Sequence, residues 1–224
     1  MKTNKGSITE AILKASRKAA AIITVAAVIG LSFAACKDKD EEEDDGFKLP
    51  TAGDGSIDLS TGKTFAVEGA GSQTITFTHN GNTPLSEIFE SSSDYEVKIT
   101  NGTLSIKLKT PKTDKLEDPL EFLSFLGSAS ITNGLKIFCI DQLNNANNHL
   151  AWFFENETQY EVVFLFYANQ AGKIMNSIWD TDLKQGWNTV ILYCYEDENG
   201  DEYYKYVSGK PGSKPKWKFW VSNQ

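Results

Sequence analysis

Three cysteines, two histidines and a scatter of carboxylates carry the reactive chemistry available to this 224-residue chain. Cys139 alternates with Leu135 and Ile137, and Cys194 with Val190 and Leu192, the pattern of thiols set on the buried face of β-strands. An apolar strand raises a thiol's pKa, so Cys139 is not expected to act as a nucleophile despite Asp141 and His149 nearby in sequence. Cys139 and Cys194 are candidates either for a disulfide or for two separately buried small hydrophobes. His79 and His149 show no partnered metal-ligand spacing. Glu155, Glu157 and Glu161 surround the tip Asn156-Glu157-Thr158, where acids are solvated rather than paired across a cleft for glycoside hydrolysis. Asp197-Glu198-Asn199-Gly200-Asp201 lacks the loop order of a calcium hand and reads as a solvated turn. HExxH, CxxC, GxSxG, P-loop and GxGxxG motifs are absent. No catalytic residue, metal ligand or cofactor is therefore assigned, and the chain is expected not to be an enzyme.

The third cysteine has a different setting. Lys2, Lys5, Lys14, Arg17 and Lys18 precede an uncharged run from Ala19 to Ala35, the order of basic and apolar regions in an export signal. As a helix that run spans about 26 Å and is rich in alanine, which disfavours a permanent transmembrane span. It closes on Leu31-Ser32-Phe33-Ala34-Ala35-Cys36. Two small residues before a cysteine, ending an apolar stretch behind a basic start, resemble the lipobox of bacterial lipoproteins; Phe33 stands where that family mostly has Leu. The resemblance implies that residues 1–35 are a signal peptide cut just before Cys36. It also implies that the Cys36 thiol receives a diacylglyceryl group and that its new amino group is acylated. Ser32-Phe33-Ala34 also fits the cleavage site of ordinary secretion. Each buried methylene contributes about 0.8 kcal/mol, so two or three acyl chains suffice to hold a protein at a bilayer.

Behind Cys36, residues 37–45 hold seven acids and two lysines, a block that repels itself and stays solvated. Residues 36–49 thus read as a lipidated cysteine on a flexible acidic tether. In some diderm bacteria such a stretch resembles a signal for the outer face of the outer membrane, which leaves surface and periplasmic placement both open. Removing the leader's five basic residues and one acid from the chain's 22 and 30 leaves a net charge of −12 on residues 36–224. Such a body does not seek nucleic acid or anionic headgroups, so membrane affinity must come from the acyl chains.

From Pro50 the apolar residues recur with period two. Tyr95–Thr100 and Thr103–Leu108 flank Asn101-Gly102, which supplies the two positive φ angles of a type I′ hairpin. Thr64–Glu68 and Thr74–Thr78 read as a second hairpin around Gly69-Ala70-Gly71-Ser72. Thr83-Pro84 opens one short helix, with Pro at its first position, and Asp118-Pro119 opens another that runs to Leu126. Strands are expected at Leu135–Ile140, Leu150–Glu155, Glu161–Ala168, Thr189–Glu196, Tyr203–Val207 and Lys216–Val221, with Gly172–Ile178 a further candidate. The segment Asp182–Val190 loosely resembles a turn-into-strand signature of bacterial lipoproteins, in which Gly186 turns tightly and Trp187 packs over the next strand.

These elements indicate an all-β fold: an antiparallel β-sandwich with jelly-roll or immunoglobulin-like packing and two short helices, or alternatively a calycin-like β-barrel. A hairpin region at 50–110 and an aromatic-rich region at 111–224 form one domain or two.

All five tryptophans lie in the last 73 residues. Along the final strand Trp217 and Phe219 share the face expected to seal the core, leaving Lys216, Lys218 and Trp220 on the other. With Tyr204 and Tyr206 of the neighbouring hairpin these are the candidate ligand contacts, for a glycan or a protein partner. The expected function is a non-enzymatic, lipid-anchored binding module. A carrier of a small hydrophobic ligand and an unrecognised hydrolase are the alternatives.

Overall fold

The computed structural model describes residues 50–122, 129–147, 149–154, 162–196, 202–211 and 216–221. The leader, Cys36, the tether, the continuation of the second helix beyond Phe122, and the tips holding Glu155–Glu161 and Asp197–Asp201 lie outside the described residues. Leu49–Gln224 form one compact unit.

In chain order the strands are β1 (Lys63–Glu68), β2 (Thr74–Thr76), β3 (His79–Asn80), β4 (Thr83–Pro84), β5 (Tyr95–Thr100), β6 (Thr103–Leu108), β7 (Ser130–Ile131) and β8 (Ile137–Ile140). They continue with β9 (Leu143–Asn144), β10 (His149–Phe154), β11 (Val162–Ala168), β12 (Gly172–Met175), β13 (Trp179–Leu183), β14 (Gly186–Glu196), β15 (Glu202–Ser208) and β16 (Lys216–Val221). Helices α1 (Leu85–Ile88) and α2 (Pro119–Phe122) are short. The result is an all-β fold of two curled, open sheets.

Strands β2, β5, β6 and β1 make one sheet; β16, β10, β11, β14, β15, β13, β12 and β7 follow in order in the other. β1 belongs to both. Its first four residues pair antiparallel with β6, whereas Val67 and Glu68 pair in parallel with Trp217 and Lys218 of β16. β13 and β15 are also parallel, so the second sheet is mixed rather than purely antiparallel.

The hairpin at Asn101-Gly102 forms as expected, with φ of 50° and 72° at the turn, and Val97, Ile99, Leu104, Ile106 and Leu108 line its buried face. The hairpin expected around Gly69–Ser72 does not form: β2 pairs with β5, and β1 with β6 and β16. Alternation marks both segments as strands but leaves the partner undefined, and both found longer-range ladders. Pro84 is extended and precedes α1 as its N-cap instead of occupying the first helical turn.

β11 reads Val-Val-Phe-Leu-Phe-Tyr-Ala, a continuous apolar run that fits a strand covered on both faces. Val163 and Leu165 face the main core with Ile191, Ala151, Phe153, Trp217 and the β5–β6 side chains. There Trp217, 2% exposed, stacks on Phe153 at 5.0 Å and 6°, so the last strand does seal the core. Phe164 and Phe166 face the other way, within 6.0 Å of Tyr206 and Trp179 respectively. Each such apolar side chain contributes roughly 1.5–3 kcal/mol on burial, which makes β11 the structural spine.

Candidate functional site

A segment leading into β1 forms one wall of a concave site among the described residues. Residues 52–57 cross the ends of β14 and β15 as a strap. The Gly53 amide donates to the Ser208 carbonyl (2.7 Å), the Thr189 amide to the Gly55 carbonyl (2.7 Å) and the Ile57 amide to the Trp187 carbonyl (3.0 Å). Two buried hydroxyls complete the clamp. Thr189 shares its proton between the Gly55 and Gly209 carbonyls (3.0 and 2.6 Å), and Ser208 donates to the Gly53 carbonyl (3.0 Å). Gly55 is required by this approach: a Cβ there would lie 2.4 Å from the Thr189 carbonyl oxygen and 2.9 Å from the Gly209 nitrogen.

Past the strap, Ser56–Ser60 form one wall of a cleft of about 600 Å³. Leu108–Thr110, at the end of β6, form the opposite wall, and Tyr167, Gln185, Gly186 and Trp187 complete it. Gly186, with φ of 98°, turns the chain into β14, and the buried Asn188 side chain braces that turn through the Lys184 and Gly186 carbonyls (2.8 and 2.9 Å). Trp187 is held by its indole N–H on the Lys109 carbonyl (3.0 Å) and by edge contacts to Tyr167 and Phe138 at 5.5 and 6.5 Å.

The ionisable groups around the cleft are hydrogen-bonded or ion-paired within the fold. Asp58 accepts bonds from the Ser60 and Thr61 hydroxyls (2.7 and 3.0 Å), which hold its carboxyl below the usual range. Ser56 does the same for Asp54, and Lys109 turns its ammonium to Asp94 at 2.7 Å. The Gln185 side chain, by contrast, is exposed and has no hydrogen-bond partner among the described residues.

A second polar cluster lies where β3, β9 and β10 meet. His79 is the cross-strand neighbour of Asn144, which in turn faces Leu150, so the fold brings His79 and His149 to one corner. The sequence spacing gave no sign of this. His79 bonds Thr78 (2.8 Å) and His149 bonds Asn145 (3.2 Å) through their Nδ1 atoms. Asp141 retains some solvent contact, yet desolvation pushes its carboxyl above its ordinary pKa. Among the described residues, no group of three or more His, Cys, Asp or Glu is placed to hold a metal ion.

Desolvation also raises the Cys139 thiol well above its usual value, and Cys139 is free. The register overturns the disulfide with Cys194. Cys139 faces Phe166, which faces Asn188, so Cys194 lies two strands away and six residues further along β14. At about 3.3 Å per residue that is roughly 20 Å, whereas a bridge needs Cα atoms within about 7 Å.

Two of the five sequence-derived ligand residues, Lys216 and Tyr206, fall on a single backbone row. Lys216, Phe154, Val162, Leu192, Tyr206 and Trp179 are successive cross-strand neighbours over six strands. Lys216 and Tyr206 are therefore four strands, or roughly 19 Å, apart along the sheet, too far to act as one small patch. Tyr206 is half-buried and stacks on Trp179 at 4.1 Å and 3°. Tyr204 is 38% exposed and Lys218 is half-buried. The side chains of Lys216, Trp220 and Cys194 lie outside the description.

The fold and its cleft define an all-β, sandwich-like domain whose entry strap walls a mixed polar and aromatic site. No family model, no curated protein and no solved structure matches the chain. Among the described residues, no helix is long and apolar enough to cross a membrane.

Proposed function

We propose that the chain is a lipid-anchored, non-enzymatic binding module of a bacterial cell envelope, held through acyl chains on Cys36 at the outer membrane. The observation that carries this reading is the order of the first 45 residues: basic start, uncharged run, Leu31-Ser32-Phe33-Ala34-Ala35-Cys36, then an acidic block. The folded unit beginning at Leu49, directly behind that block, supports it. Within the all-β class, the two curled, open sheets fit a sandwich of jelly-roll or immunoglobulin-like packing, while the strand β1 that they share keeps the calycin-like barrel as the alternative. Expression of the full chain in a diderm bacterium, followed by mass spectrometry of the purified product, tests the anchor. The expected product begins at Cys36 and carries a diacylglyceryl mass that Cys36→Ser abolishes. A product that retains Met1 with an unmodified Cys36 refutes the reading.

A second reading, a carrier of a small hydrophobic ligand, is favoured by one observation. The β11 face holding Phe164 and Phe166 packs against Tyr206 and Trp179 as an aromatic layer on the side of the sheet away from the main core. Organic extraction of the purified chain tests it: a stoichiometric apolar compound is the expected result, and an empty extract refutes it.

A further inference from the structure

The cleft combines features that select a ligand class. Its volume of about 600 Å³ falls in the range of small-ligand sites, enough for a ligand of several rings. Tyr167 is partly exposed and braced edge-on by Trp187, which is itself only 6% exposed. The ring therefore offers a rigid apolar surface with a polar tip, its hydroxyl on Thr110 at 3.4 Å. Around it stand the Gln185 amide, without a hydrogen-bond partner among the described residues, and the hydroxyls of Ser56, Ser60 and Thr110, which bond Asp54, Asp58 and Tyr167 and keep oxygen lone pairs for a ligand. Asp58 keeps its negative charge while its two oxygens accept the Ser60 and Thr61 hydroxyls, and Lys109 is committed to Asp94, so the lining offers an anionic ligand no free cation.

A flat apolar surface bordered by donors and acceptors complements a molecule with an apolar C–H face and equatorial hydroxyls. An acyl chain would leave the Gln185 amide and the Asp58 carboxylate unanswered, an anion would find no free counter-charge, and sugar hydroxyls can donate to Asp58 as Ser60 and Thr61 do. We propose that the cleft bounded by Ser56–Ser60, Leu108–Thr110, Tyr167 and Gln185 binds a neutral saccharide, with Tyr167 as the stacking platform and Gln185 as a hydrogen-bonding residue. This rests on the reading of the chain as a binding module and names its site and ligand class. The strap makes the site conditional on an ordered amino-terminal segment, because residues 53–57 fix the wall that follows them.

The test uses the full chain in detergent, titrated by calorimetry with maltotriose, cellotriose and chitotriose, and in parallel with trigalacturonate and decanoate. At least one neutral trisaccharide is expected to bind. Tyr167→Ala should weaken it about tenfold, equivalent to about 1.4 kcal/mol, and Gln185→Ala should weaken it several-fold. Tyr167→Phe, which keeps the ring, should retain most of the affinity and guards against a folding defect in the alanine variant. Met175→Ala, exposed on β12, is the control expected to bind as wild type. Preference for trigalacturonate or decanoate overturns the ligand class. Saccharide binding insensitive to Tyr167→Ala and Gln185→Ala but lost in Tyr204→Ala or Lys218→Ala overturns the site. Failure of every trisaccharide at about 10 mM overturns the proposal while a lipidated Cys36 leaves the anchored module standing.

Discussion

Replacing Gly55 by alanine is expected to pull the amino-terminal strap off the sheet. The added Cβ would meet the Thr189 carbonyl oxygen at 2.4 Å and the Gly209 nitrogen at 2.9 Å, both backbone atoms that no rotamer change can move aside. The strap must shift, and the bonds at stake are Thr189 N–H to Gly55 (2.7 Å), Thr189 Oγ to Gly55 (3.0 Å), Gly53 N–H to Ser208 (2.7 Å) and Ile57 N–H to Trp187 (3.0 Å). At about 1 kcal/mol each they total about 4 kcal/mol, offset by about 0.4–1 kcal/mol of denatured-state entropy that alanine removes. The expected net loss is about 2–4 kcal/mol. Gly53→Ala, two residues earlier on the same strap, supplies the contrast. Its Cβ meets nothing closer than the Ser208 carbonyl at 3.8 Å, so it should be neutral or slightly stabilising. Urea denaturation measures both, and limited proteolysis should cut Gly55→Ala before Ile57 while leaving Gly53→Ala intact. Equal midpoints and equal cleavage rates for the two variants would refute the account of the strap as a close-packed clamp.

Two further substitutions probe the interior. Trp217→Ala should cost about 3–5 kcal/mol through the cavity left beside Phe153, but Trp217→Phe only about 1–2 kcal/mol, because the buried indole nitrogen makes no hydrogen bond that phenylalanine would lose; equal losses in urea titrations would contradict this. Asp141 binds its proton more tightly folded than unfolded, so its contribution to stability is complete below the unfolded carboxylate pKa and is lost as pH rises through the raised folded one. Asp141→Asn keeps the acceptor for the Gln142 amide, held at 2.8 Å, and should match wild type near pH 3 yet exceed it near pH 7; a stability difference that does not change with pH would contradict the desolvation argument.

Legibility in the sequence followed the range of the interactions involved. Asn101-Gly102 fixes a hairpin through its own φ angles, and Tyr95–Leu108 was readable because turn and pairing lie within fourteen residues. Val67 and Glu68 show the opposite case: their strand character is local, but their partners Trp217 and Lys218 lie 150 residues away. Trp179–Leu183 escaped notice because its inward positions are Trp179, Thr181 and Leu183, and a threonine between two aspartates reads as loop until its neighbours bury it. Its hydroxyl bonds the Ile174 carbonyl at 3.2 Å, which makes that burial tolerable. The cleft was half legible. Gly186 and Trp187 were recognisable as a turn into a strand, whereas the approach of Leu108–Thr110 is tertiary. The strap's trace in the sequence is the small-residue spacing of Gly53 and Gly55, a pattern also common in unpacked linkers.

The strap gives the proposed anchor a physical consequence. Were Cys36 lipidated as proposed, only residues 37–51 would separate the anchor from the strap. The chain then enters the strap within a few residues, and Asp58–Ser60 of the cleft wall follow at once. Tension from such an anchor would therefore fall first on the bonds to Thr189 and Ser208 rather than on the core. Those two hydroxyls are buried and fully engaged, so load must break several bonds together before the wall moves. A tether rooted anywhere on β2 or β7 would hold the domain equally well and leave the cleft indifferent to it. An anchor rooted here would load the same hydrogen bonds that hold the cleft wall, and a variant that loosens the strap should weaken binding at the proposed site before it lowers the stability of the β5–β6 core.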